Sequence, residues 1–497
     1  MKYFKKITIF LDSIPDGRKL SIRQQITLIL WAMSIVLLPF LQFPFGVFQK
    51  LSFYPLLLIA ILNVDKWWGL CWTNKYLRYT GFAVAAFIGW QIISLPFCIG
   101  VSNIVFAENI RPIINDTMTF GSWYVFLASA FFLPREKICK TFYWSFTIVF
   151  LYCGAYCIIE LLHFAKVQWA TDFLSRSIYY FIKDIGQNHG WWPPVFWDSP
   201  RLRSVYAEPS YFAVIVSFAE LYFGFQAWKS KHWQQTAGNL LLMLWAAFLL
   251  CGTKSASGSL ALTASTFVFI VLFLLFFRKT EKISRIKGIA LAILLILCSG
   301  ATIANQRGGG VQDWVKMFHA VKAAPAKQCE PQKQSLSSKQ NAPKKQDFSS
   351  SSGTRLIHLK TELKLIAKNP VAGVGAGQYG KAMRQALLEN PEKSGEIRLW
   401  SEKGDWYPPP LNTYTSILVR NGIIGLILFA ALFFAPLACA VKCIKTMNAE
   451  DFIASLVLIG VTAVICLTTA INFCYYFYAT FLIYCLMEKV ISKEKEE

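Results

Sequence analysis

Charge is scarce in this chain. Only 16% of its 497 residues are charged, whereas 55% are hydrophobic and the mean hydropathy is +0.42. A soluble protein of this length carries about 25% charged residues, so a soluble globular reading is excluded and a polytopic membrane protein is expected. Thirteen cysteines are present, yet there is no CxxC pair and no Cys/His cluster with zinc spacing. Most lie in or beside apolar runs, as small buried hydrophobes do. No Asp-x-Asp pair, no GxxxxGK[ST] loop and no glycine fingerprint following a strand occurs, which excludes the usual nucleotide sites. The first residues return to polar composition too soon for a cleavable signal peptide. Neither internal repeats nor inverted halves are visible.

What is present is a series of apolar runs. About twelve are long enough to span a bilayer, at 24–45, 51–64, 79–100, 120–133, 141–163, 206–228, 237–252, 256–277, 288–304, 412–436, 452–470 and 471–487. The second and fourth are short. The net charge of +22 concentrates in the connections that follow even-numbered spans and near both ends, for example at Lys66, Lys75 and Arg78 and in "RKTEKISRIK". By the positive-inside rule those connections are cytoplasmic. Basic charge so placed is topology signal, and nucleic acid is not expected as a partner.

The expected fold is therefore all-α. Residues 1–304 form the first nine membrane helices, with an outer loop at 164–205. Residues 305–411 form a large extracytoplasmic loop before the last three helices, and 412–497 hold those helices and a cytoplasmic tail. Within the loop, 321–352 has a Lys/Gln/Ser/Pro composition that predicts disorder. Residues 353–380 predict a helix, with Leu356, Leu359, Leu363 and Ile366 as its apolar stripe, and then a Gly-rich turn.

Four motifs fall on the expected outer side. "RLRSVYAEPSYFAVIV" puts Arg201, Arg203 and Glu208 at the mouth of the sixth span. These residues read as an N-terminal cap with snorkelling arginines, or as an anion site with an acid/base carboxylate, because a guanidinium fork suits phosphate. "GTKSASGS" carries Lys254 at a tight turn, either a solvated hairpin tip or part of a phosphate cradle. "GTRLIHLKTELKLIAKNPVAGVGAGQYG" puts Arg355 and His358 on one helix face, where a histidine is structural or catalytic. "PPPLNTYTSILVRNGIIGLILF" offers Asn412 as an N-cap.

In their order and common side these motifs resemble the O-antigen ligase and O-antigen polymerase superfamily, bacterial inner-membrane glycosyltransferases. The resemblance covers residues 201–429 in motif and the whole chain in layout. It implies a helical membrane enzyme without an essential metal or cofactor, acting on an undecaprenyl-pyrophosphate-linked glycan donor and a glycan acceptor, with membrane lipid and a chain-length regulator as partners. It implies that Arg203 and Arg355, with Arg201 beside them, hold the pyrophosphate; Lys254 and Asn412 on the same side are further binding candidates, and Glu208, with His358 behind it, is the candidate for the proton. Ligases of the superfamily usually read His-Asn where this chain has Leu411-Asn412, so polymerisation of O-antigen or surface polysaccharide repeat units is the expected activity. The alternatives are a ligase moving the glycan to a lipid core or protein, and a lipid-linked glycan flippase. A transporter would place functional charge mid-span; by these boundaries Glu160, Glu220 and Arg420 each lie close to an end.

Overall fold

The computed structural model describes residues 20–39, 51–98, 106–131, 133–181, 201–206, 209–305, 351–389, 397, 410–443 and 448–467. Among these residues there are fifteen α-helices and no strand. They are α1 (Ile22–Val36), α2 (Phe53–Leu62), α3 (Val64–Thr73), α4 (Lys75–Ile93), α5 (Phe106–Ala130), α6 (Arg135–Phe164), α7 (Gln168–Phe181) and α8 (Pro209–Lys229). There follow α9 (Trp233–Thr253), α10 (Ala256–Phe276), α11 (Lys282–Ala304), α12 (Ser351–Lys368), α13 (Tyr379–Glu389), α14 (Thr413–Cys443) and α15 (Ala449–Cys466). Seven segments among the described residues are long and apolar enough to cross a membrane, drawn from α6, α8, α9, α10, α11, α14 and α15, and shorter apolar helices lie in α1, α2 and α4. The protein is a polytopic helical membrane protein. The twelfth expected span and both chain ends lie outside the described residues, as does Cys329.

Helix α8 is the axis of the larger bundle. Its sequence is apolar on every face, the pattern of a helix buried all round, and from Phe212 to Trp228 every side chain except Gln226 is buried. Helices α9, α10, α11 and α15 pack on it. Against α6 it presents an aromatic ladder, in which Phe142 meets Tyr222 and Phe146 meets Phe218, each pair at 5.4 Å. Gly258 lets α10 approach closely, since a Cβ there would lie 2.8 Å from Ala213 Cβ. Outward-facing Leu241, Phe267, Leu275 and Leu297 are exposed, as suits side chains that face lipid. A second group forms around α1, α2, α4, α5 and α6, where Trp31 stacks on Phe126 at 4.5 Å. Helix α14 packs along α4 and α15 and so joins the groups.

Three expectations are corrected. The helix expected from residue 120 starts at Phe106 and runs through Pro112. Hydropathy misses its first half because Arg111 and Asp116 lower the average, whereas Asp116 is paired inside the protein. Glu220 is not near a helix end: it is fully buried midway along α8. On α12 the buried face is Thr354, Ile357, His358, Thr361, Glu362 and Leu365, whereas Leu363 of the expected apolar stripe is 49% exposed. This helix turns its polar face inward.

The ends of the bundle differ in charge. At one end Lys229 pairs with Asp451 at 2.9 Å, Lys287 donates to Ser230 O, Arg278 and Lys279 lie in the α10–α11 connection, and Lys282 and Arg285 in the first turn of α11. At the other, Asn305 Nδ2 donates to Cys251 O and Tyr414 OH to Ala463 O. The second end carries the candidate site.

Candidate functional site

Two junctions form at this end. The first is the strap Arg201–Tyr206, laid over the end of α9. Leu202 N–H donates to Gly252 O at 2.9 Å, and Arg201 donates to Thr253 O at 3.0 Å and to Lys254 O at 3.4 Å. These carbonyls end a helix, where no intrahelical donor remains. The approach is tight enough that a Cβ on Gly252 would lie 2.3 Å from Leu202 Cδ1. Lys254 terminates α9 at φ +47, and Ser255 caps the start of α10 by accepting from Gly258 N–H.

Beneath the strap lies Glu160 of α6, fully buried. Its Oε2 accepts the backbone N–H groups of Arg203 (3.2 Å) and Ser204 (2.9 Å), and Arg203 Nε stands 3.9 Å from Oε1. Ser204, at φ +55, donates from Oγ to Cys153 O. Burial pushes the Arg203 guanidinium down to about 10, with Glu160 opposing the shift; the group stays charged at neutral pH. A buried cation, a buried carboxylate and two backbone donors thus close one compensated cluster.

The second junction joins α12 and α13 to α14. Helix α14 breaks at Gly422, whose φ of +65 and ψ of −169 are not helical. A break leaves carbonyls without donors, and other elements supply them. Val374 N–H donates to Val419 O (2.7 Å), Gly375 N–H to Arg420 O (3.0 Å) and Trp90 Nε1 to Asn421 O (2.8 Å). In return Ile423 N–H donates to Pro370 O at 2.8 Å. The Gly-rich turn is therefore a backbone plug, with Gly373 and Gly375 at φ +73 and +99. Arg420 reaches Asp116 at 2.7 Å and also donates to Ala376 O, while Gln91 donates to the same Asp116 oxygen.

Above the break, Glu362 of α12 accepts from Tyr379 OH at 2.6 Å and from Thr415 Oγ1. His358 Nδ1 lies 3.6 Å from Glu362 Oε1, and both side chains are 1% exposed. Burial and the neighbouring Glu362 push the Tyr379 hydroxyl well above its ordinary value, so it remains a donor. Asn412 caps α14, with Oδ1 accepting from Tyr414 N–H (2.9 Å) and Thr415 N–H (3.1 Å).

Arg201, Arg203 and Lys254 thus meet at the first junction. Arg355, His358 and Asn412 belong to the second, and Arg355 is half-buried. Glu208 lies outside the described residues. Sequence reasoning missed the roles of Glu160, Glu362 and the Asp116–Arg420 pair. Their signal was charge inside apolar segments, which demands a partner. Among the described residues no group of three His, Cys, Asp or Glu side chains could hold a metal ion.

A family model described as O-antigen ligase matches residues 241–430, from α9 through the break in α14. The match supports the resemblance to the O-antigen ligase and polymerase superfamily that the motifs suggested. No curated protein matches the chain.

Proposed function

We propose that the protein is a membrane glycosyltransferase that polymerises undecaprenyl-pyrophosphate-linked repeat units on the extracytoplasmic face of the bacterial inner membrane. The observation that carries this reading is that Arg201, Lys254 and the buried Arg203 meet at the first junction and Arg355 belongs to the second, both at the bundle end opposite the Lys/Arg-rich connections. The positive-inside rule makes the basic end cytoplasmic and the site end external.

The donor already carries its leaving group, so the protein must neutralise pyrophosphate as charge builds on it. Arg201, Lys254 and Arg355 are the half-buried cations suited to this. Arg203 acts through the strap, by holding it on Glu160. The acceptor hydroxyl attacks the anomeric carbon, the bond from that carbon to the pyrophosphate oxygen breaks, and the hydroxyl proton passes to a protein base. Glu208, two residues beyond the strap in sequence, serves as that base, with His358 backed by Glu362 as the other candidate. Leu411, directly before the capping Asn412, offers nothing that takes a proton, which favours polymerase over ligase. The glycan donor, a glycan acceptor and a chain-length regulator are the partners of this reaction.

The description of the matched family favours a second reading, ligation of the finished glycan to its acceptor. A gel of surface glycan from a deletion strain separates the two. A polymerase leaves single repeat units on the normal acceptor and removes only longer chains. If every glycan leaves the acceptor while long chains accumulate on the polyprenyl carrier, the protein is a ligase.

A further inference from the structure

At the basic end of the bundle, a cavity of about 740 Å3 opens between α6, α8, α9 and α15. The reaction proposed above takes place at the opposite end and leaves this cavity without a role. Four charged side chains line it: Glu136 and Lys140 of α6, Lys229 of α8 and Asp451 of α15. Two are cations and two are carboxylates, so the walls are neutral overall but charged in both senses. Lys229 and Asp451 already pair at 2.9 Å, with side chains 31% and 23% exposed, so both remain reachable. Deeper in, Tyr222, Phe225 and Leu458 make an apolar floor. Tyr143 OH donates to Asn239 Oδ1 at 3.1 Å and sets the wall between α6 and α9.

The dimensions match a bilayer boundary. On α6 the lining runs from residue 136 to 144, a rise of about 12 Å. The headgroup zone of one leaflet is roughly 5–8 Å deep. The charged rim therefore stands at headgroup level and the floor at the first acyl carbons, with the half-exposed Trp144 at the edge. Basic pockets between membrane helices on the cytoplasmic side bind anionic lipid headgroups; this one carries both signs of charge. An anionic headgroup would meet two carboxylates here, and a bare cation two lysines.

We propose that this cavity binds a zwitterionic phospholipid with a phosphoethanolamine headgroup, its phosphate toward Lys140 and Lys229 and its ammonium toward Asp451 and Glu136. The pairing satisfies both signs of charge, and the acyl chains cover Tyr222, Phe225 and Leu458.

The test uses the full chain, purified in detergent, stripped of lipid and followed by thermal unfolding and native mass spectrometry. Phosphatidylethanolamine is expected to raise the unfolding midpoint and to appear as one retained lipid per chain. Phosphatidylglycerol and soluble phosphoethanolamine are expected to do neither. Lys140→Ala weakens retention roughly tenfold, as loss of one charge-assisted hydrogen bond does. Gly238→Trp fills the mouth, where an added Cβ meets nothing within 4 Å, and abolishes the lipid response. Should that variant have a lowered lipid-free midpoint, Lys140→Ala alone decides. Equal stabilisation by phosphatidylglycerol, an undiminished response in Lys140→Ala, or soluble phosphoethanolamine acting as strongly as the lipid would overturn the proposal.

Discussion

The two junctions at the site end solve the same problem by different means. Each fixes a connecting segment on a membrane helix, and each supplies donors or acceptors where a helix stops or breaks. The strap is held by charge: Glu160 faces Arg203 and takes two backbone N–H groups. The plug is held by shape: the turn and the broken α14 exchange backbone bonds at a distance only glycine permits. Where charge does the holding, at Glu160 and Arg203, a change of sign is not tolerated, although the same strap is also size-limited where Leu202 lies on Gly252. A shape-held junction tolerates a change of charge nearby but not one extra carbon.

Gly422→Ala is the severest way to break this contrast. The new Cβ would stand 1.9 Å from Val371 O, and backbone cannot swing aside as a side chain does. The loss exceeds the ~1–3 kcal/mol that a non-glycine residue costs in that conformation alone. Yield of monodisperse protein on size exclusion should collapse, whereas Gly300→Ala, with open space around it, should match wild type.

Next comes Glu160→Gln, which keeps an acceptor for the two N–H groups but strands the Arg203 charge. About 3–5 kcal/mol of destabilisation is expected, read as a lowered unfolding midpoint in detergent. Adding Arg203→Met should restore most of it. A double variant no better than the single would mean that the strap, too, is held by its backbone bonds.

Smaller effects are expected in stability but not in function for Lys254→Ala and Arg355→Ala. If these cations hold pyrophosphate as proposed, the loss of one charge-assisted bond is worth about 1.5–3 kcal/mol, or roughly ten- to hundredfold in rate. Long-chain glycan on a gel should fall while the unfolding midpoint holds. Arg355→Lys should also be impaired, because the fork is lost with the charge retained. Least of all is Asn412→Ala, at about 0.5–2 kcal/mol from a lost helix cap. Asn412→Asp, which still accepts both N–H groups, should unfold at the wild-type temperature.

Much of this architecture was legible in the sequence. Long apolar runs such as those of α8 to α11 announce membrane helices, and three prolines followed by Asn412 announce the start of α14. Legibility failed wherever polar residues were satisfied at long range. Asp116 depresses the hydropathy of α5, yet its partner Arg420 lies 304 residues away. Glu160 meets its strap 43 and 44 residues on. On α12 the spacing of the leucines was read correctly, but periodicity gives a stripe and not its direction. The protein uses the opposite face, because Glu362, Tyr379 and Thr415 complete one another there.

The break in α14 also dictates an order of assembly. Trp90 and Asp116 are synthesised early, yet the groups they bond, at residues 421 and 420, emerge after most of the chain has left the ribosome. Contacts of such sequence separation form late and slowly. Until they form, the indole N–H of α4 and the carboxylate of α5 lack these partners. A chain stopped before α14 would hold its first helices in an incomplete state, open to membrane quality control, so truncation of roughly the last sixth should be sensed through damage to the first helices.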